Sequence, residues 1–144
     1  MIGHSSPAIR FHLNKSVLAV ELYDLVANQM IATFHRPDSH CTFTEEREYG
    51  RFAITLRLDW GDLLLGEPML DMDVALRNDD GTRRRLKPSK HKNHHTRLSD
   101  LVPGSKAPRV YDLEYEGLHM RLVARKTFAI EGGVSIYVFD PKAK

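Results

Sequence analysis

One cysteine, Cys41, stands in a chain of 144 residues. No disulfide can form within it, and a reducing, intracellular setting is expected. No apolar run approaches the roughly 18 to 20 residues that cross a bilayer as a helix. Residues 1–20 mix charges and histidine with apolar positions where a secretory signal would carry an apolar core. These absences predict a soluble protein with no transmembrane segment. The signatures of common enzyme sites are missing as well. There is no G-x-S-x-G elbow, no Walker A loop, no G-x-G-x-x-G turn and no H-E-x-x-H pair. His40 and Cys41 are neighbours in sequence, whereas a nucleophile and its base must be neighbours in space. No catalytic residue and no cofactor follow from the sequence, and a non-enzymatic role is the expectation. Fixed-period repeats and low-complexity tracts are absent too, which removes solenoids and propellers.

Apolar residues make up 42% of the chain and charged residues 28%, a balance that supports a packed core rather than disorder. The length fits one domain spanning residues 1–144. Period-2 alternation is the dominant pattern, and it places every second side chain on one face of a pleated strand. It is clearest in Phe52, Ile54, Leu56, Leu58 and Trp60, in Leu70, Met72, Val74 and Leu76, and in Tyr111, Leu113 and Tyr115. It returns in Leu118, Met120 and Leu122 after Glu116-Gly117, a hairpin turn in which glycine tolerates positive φ. Shorter strands are expected at 9–13, 30–35, 41–44 and 134–139. Residues 16–27 fit a strand through Leu18, Val20 and Leu22, and a short helix through Leu18, Leu22 and Leu25; the β-formers Val17 and Val20 favour the strand. Trp60 is expected in the core, with its indole N–H reaching a partner near the rim. The whole predicts an all-β, antiparallel sandwich of about seven to nine strands, with a partly open barrel as the alternative.

Charge is divided unevenly along this framework. Between Gly81 and Ser99 stand Arg83, Arg84, Arg85, Lys87, Lys90, Lys92 and Arg97, with no Asp or Glu. These are seven of the 21 Lys and Arg; the other 14 face 19 acids, a balance of −5. The basic stretch begins on a strand after the turn Asn78-Asp79-Asp80-Gly81 and runs into a long loop at about 82–108 that contains Pro88, Pro103 and Pro108. Cations in such a place suit an anionic partner: nucleic acid, an acidic protein surface or phospholipid. They also suit a solvated face, with Arg84 or Arg85 paired to Asp71 or Asp73. The stretch lacks aromatic residues on which bases would stack, which speaks against a single-strand platform. As composition alone, it also resembles a nuclear address.

His91, His94 and His95 are the metal-ligand candidates, the basis of an alternative reading as a small metal-assisted enzyme. They lack a second histidine pair, a cysteine pair or a glutamate at ligand spacing. Asp71, Asp73, Asp79 and Asp80 read as the polar side of a strand and its turn. Leu63, Leu64 and Leu65 break the alternation and offer an apolar surface for a homo-oligomer, or for burial beneath the long loop.

Overall fold

A computed structural model describes residues 9–13, 17–37, 41–60, 68–88, 110–126 and 132–142. Among the described residues there are ten strands: β1 (Ile9–His12), β2 (Val17–Asp24), β3 (Gln29–His35), β4 (Thr42–Tyr49), β5 (Phe52–Asp59), β6 (Met69–Arg77), β7 (Arg83–Arg85), β8 (Val110–Tyr115), β9 (Leu118–Lys126) and β10 (Gly132–Phe139). The count is one above the seven to nine expected, and the two shortest strands, β1 and β7, lie where the sequence already placed strand at 9–13 and at the start of the basic stretch. Residues 17–24 are strand, and the described residues contain no helix.

The strands form two sheets that do not close into a barrel, so the sandwich holds and the barrel alternative does not. In the first sheet the order is β1-β6-β5-β4, with β7 also paired to β6. In the second the order is β3-β2-β10-β9-β8. One pairing departs from antiparallel expectation: β2 and β10 run parallel, Val20 beside Val134 and Leu22 beside Ile136. The alternation does what it predicts. Phe52, Ile54, Leu56 and Leu58 of β5 and Leu70, Met72 and Val74 of β6 face inward, against Val20, Leu22, Leu122, Val134 and Ile136 of the other sheet, in one buried cluster. At Glu116 (φ 48°) and Gly117 (φ 101°) both central residues of the β8–β9 turn have positive φ, the primed-turn geometry that matches strand twist. Trp60 is buried as expected, but its indole N–H has no hydrogen-bond partner among the described residues.

The two sheets meet at their margins through specific contacts. Phe11 on β1 meets Tyr111 on β8 edge to face, with centroids 5.3 Å apart. At the opposite margin the Tyr49 hydroxyl, at the end of β4, donates to Asp24 Oδ1 at the end of β2 over 3.1 Å. Arg51 lies 3.8 Å from the buried Asp140 carboxylate and its guanidinium covers the Phe52 ring. Burial, with the Asp24 carboxylate beside it, pushes the Tyr49 phenol up to about 12.

Tyr49→Phe should therefore cost roughly 1 kcal/mol, the net worth of one hydrogen bond. The pH dependence has a definite sign. A phenol whose folded pKa is raised stabilises fully below its unfolded value of about 10 and loses that contribution as pH climbs towards the folded value. Denaturant titrations of wild type and Tyr49→Phe should differ by a constant amount at neutral pH and converge between about pH 10 and 12. A gap that does not narrow there would show that Tyr49 does not hold its proton through this contact.

Candidate functional site

The root of the basic stretch is built on β7. After Arg77, the Asn78 N–H donates to Thr82 O and the Gly81 N–H to Asn78 O, closing a tight turn in which Gly81 takes φ 90°. Asp80 Oδ1 accepts from both the backbone and the hydroxyl of Thr82, at 2.9 and 2.6 Å. The chain then returns along β6 with Arg83 beside Arg77, Arg84 beside Leu76 and Arg85 beside Ala75. Leu86 follows. Its N–H donates to Val74 O over 2.8 Å, and its side chain is 1% exposed within the core. This residue escaped the sequence reading; its signal was a single leucine inside an otherwise polar, cationic run.

Alternation sends the three arginines to two places, and each one meets a carboxylate. Arg83 and Arg85 project from the outer face of the first sheet. Arg85 binds Asp73 of β6 through two nitrogens at 2.9 and 2.5 Å, as one reading of the stretch expected. Arg83 reaches across the sheet to Glu46 of β4 at 2.7 Å. Arg84 points the other way and makes a two-pronged contact with Glu116 in the β8–β9 turn, at 2.7 and 3.0 Å, tying the first sheet to the second. Asp71 is taken by Arg10 of β1, at 2.7 and 3.1 Å. Arg77 completes the face by donating to Glu48 over 2.7 Å. The hydrogen bonds from Arg83 and Arg84 hold the Glu46 and Glu116 carboxyls below their ordinary range.

Beyond Leu86, Lys87 is exposed and Pro88 half-buried. Lys90, Lys92 and Arg97, with His91, His94 and His95 and the leucines 63–65, lie outside the described residues. Among the described residues no three His, Cys, Asp or Glu side chains gather as a metal site. The aromatic residues that the basic stretch lacks stand elsewhere, on the outer face of the second sheet. There Tyr23 and Tyr137 stack with centroids 5.5 Å apart, and His119 lies 5.9 Å from Phe139. No helix of the described residues is long and apolar enough to cross a membrane.

Compared with protein-family models, with curated proteins and with solved structures, the chain matches none.

Two measurements check this geometry. Leu86→Ala should destabilise by about 2 to 5 kcal/mol, as removal of a buried leucine does, whereas Lys87→Ala should stay within about 0.5 kcal/mol. Equal, small effects in thermal unfolding would mean that Leu86 does not anchor the stretch. Carboxyl titration by NMR should place Glu46 and Glu116 below the ordinary range, with Arg84→Ala returning Glu116 alone towards it. The stability these depressed groups contribute is present above the ordinary carboxylate range and disappears as pH falls through their folded values.

Proposed function

We propose that the protein is a non-enzymatic binding module that presents its basic stretch, residues 83–97, to an anionic partner. The observation that supports this most is the division of charge: seven cations without an acid between Gly81 and Ser99, against a balance of −5 elsewhere. The paired root gives that stretch an internal division of labour. Arg83, Arg84 and Arg85 are each engaged by a carboxylate of the fold. Together with buried Leu86 they fix the point from which the stretch departs. Lys87, Lys90, Lys92 and Arg97 follow that root in the sequence, and the contact is assigned to them. Phosphate or sulfate groups are the chemistry they suit, because neutralising them releases condensed counterions from a polyanion whatever its sequence. Exposed ion pairs are themselves weak and screened, so a dense polyanion can also compete with Glu46, Asp73 and Glu116 for the three arginines.

Titration against duplex DNA, RNA, heparin and anionic vesicles over a range of salt tests the proposal and separates the polyanions. With the four distal cations alone in contact, the logarithm of the DNA association constant should fall against the logarithm of salt with a slope of about −4; full engagement of all seven would give about −6. Exchanging Lys87, Lys90, Lys92 and Arg97 for Ala should abolish binding. Exchanging Arg83, Arg84 and Arg85 should weaken it less. Failure to bind any of these polyanions at low salt would overturn the proposal.

A further inference from the structure

Each sheet edge exposes a row of backbone groups, and folded proteins blunt such rows with charge, proline, bulges or short strands. Among the described residues most edges here are blunted. On the first sheet, β4 carries Glu45, Glu46, Arg47 and Glu48 along one edge, while the other is shared by the short β1 and the all-arginine β7. On the second sheet, β8 carries Asp112 and Glu114. The edge strand β3 differs. Its seven residues, Gln29, Met30, Ile31, Ala32, Thr33, Phe34 and His35, include no Lys, Arg, Asp, Glu, Pro or Gly. One device is present: Ala32 pairs with Leu22 and Met30 with Tyr23, so Ile31 is an extra residue against β2. That irregularity sits towards one end and leaves Ala32, Thr33, Phe34 and His35 in regular register with β2.

The orientation of the free groups follows from one hydrogen bond. The Arg36 N–H donates to Leu18 O on β2. Alternation along the strand then turns the N–H and C=O of His35 and Thr33 away from β2, towards the edge on which no described strand pairs. The side chains of Thr33 and His35 are exposed.

We propose that two copies of this chain associate through this edge, β3 pairing antiparallel with β3 of the second copy about a twofold axis at Thr33. The partner is a second copy because charge permits self-pairing here and opposes it elsewhere. A twofold pair of β4 or of β8 strands sets two identical acidic rows side by side, which is destabilising. A twofold pair of β3 sets Thr33 opposite Thr33, Ala32 opposite Phe34 and Ile31 opposite His35, with no like charges facing. The nearest carboxylate, Glu21, lies beside Thr33 on β2. Three strand spacings, about 14 Å, then separate it from its copy, more than the Debye length of about 8 Å at physiological salt. The contact is isologous and closes on itself, giving a dimer with one continuous sheet rather than an open fibre.

Sedimentation equilibrium with wild type, Thr33→Lys and Thr33→Glu tests this. Wild type should dimerise with rising concentration, and the association should survive high salt, unlike polyanion binding. Each variant alone sets like charges at the axis and should remain monomeric; at concentrations where wild type is monomeric, thermal unfolding should stay close to wild type for Thr33→Lys and fall slightly for Thr33→Glu, which stands beside Glu21. Mixing the two variants should restore the dimer. Hydrogen exchange on unmodified protein gives a second readout, in which the Thr33 and His35 amides gain protection on concentration. A wild type that stays monomeric, a dimer that either variant leaves intact, a mixture that fails to recover, or amides indifferent to concentration would each overturn the proposal.

Discussion

Strand β6 is the element on which the first sheet and its charged root depend. One of its edges is filled by β5 over Met69 to Leu76. The other is divided: β1 occupies Met69 to Met72, β7 occupies Ala75 to Arg77, and the Leu86 N–H takes the carbonyl of Val74 between them. Because side chains alternate, the register of β6 decides everything attached to it. Val74 and Met72 face the core, so Asp73 and Asp71 face out and meet Arg85 and Arg10. A slip of one residue would turn both carboxylates into the apolar core and the apolar row outward, a change that the core would oppose strongly.

The same alternation explains why three adjacent arginines do not act as one patch. Arg83 and Arg85 share the outer face, whereas Arg84 leaves on the other side and bridges to Glu116 of the second sheet. Their partners come from β4, β6 and the β8–β9 turn, three places far apart in the chain. Like charges side by side on one short edge strand repel, and this root is tolerable because each cation has its own carboxylate. The acids are therefore not merely surplus negative charge. Glu46, Asp73 and Glu116 each engage one arginine of the root.

Much of this fold was legible in the sequence. Strands β5, β6, β8 and β9 alternate cleanly because one of their faces lies on the core and the other in water. The turns at Asn78 to Gly81 and at Glu116-Gly117 carry residues whose backbone or side chain suits those bends. Strand β4 was legible only at its start. Its inward-side positions Glu45 and Arg47 sit at the sheet margin and need not be apolar, so the period vanishes there. The parallel pairing of β2 with β10 left no local trace, since strand direction depends on the route of the intervening chain. At the candidate site, the charge run was visible and so was the Arg85 pairing with Asp73. Glu46 and Glu116 were not, because a partner more than thirty positions away gives no spacing signal. Leu86 was passed over because charge dominates its surroundings.

The two outer faces of the sandwich differ in the balance of ion pairs and ring contacts. The first sheet is crossed by ion pairs between partly exposed groups: Arg10 with Asp71, Arg77 with Glu48, Arg83 with Glu46 and Arg85 with Asp73. The second carries one such pair, Arg121 with Asp112, beside the stacked Tyr23 and Tyr137 and the neighbouring His119 and Phe139, whose contacts depend on surface area and ring geometry. Salt screens the first kind of contact and barely touches the second. If a polyanion took up Arg83, Arg84 and Arg85 as proposed, it would displace their carboxylates, Glu116 of the second sheet included, and would loosen the first face and the Arg84 bridge between the sheets while leaving the core as it is. Such coupling would be confined to surface ion pairs, and the buried cluster shared by both sheets is the frame against which they could rearrange.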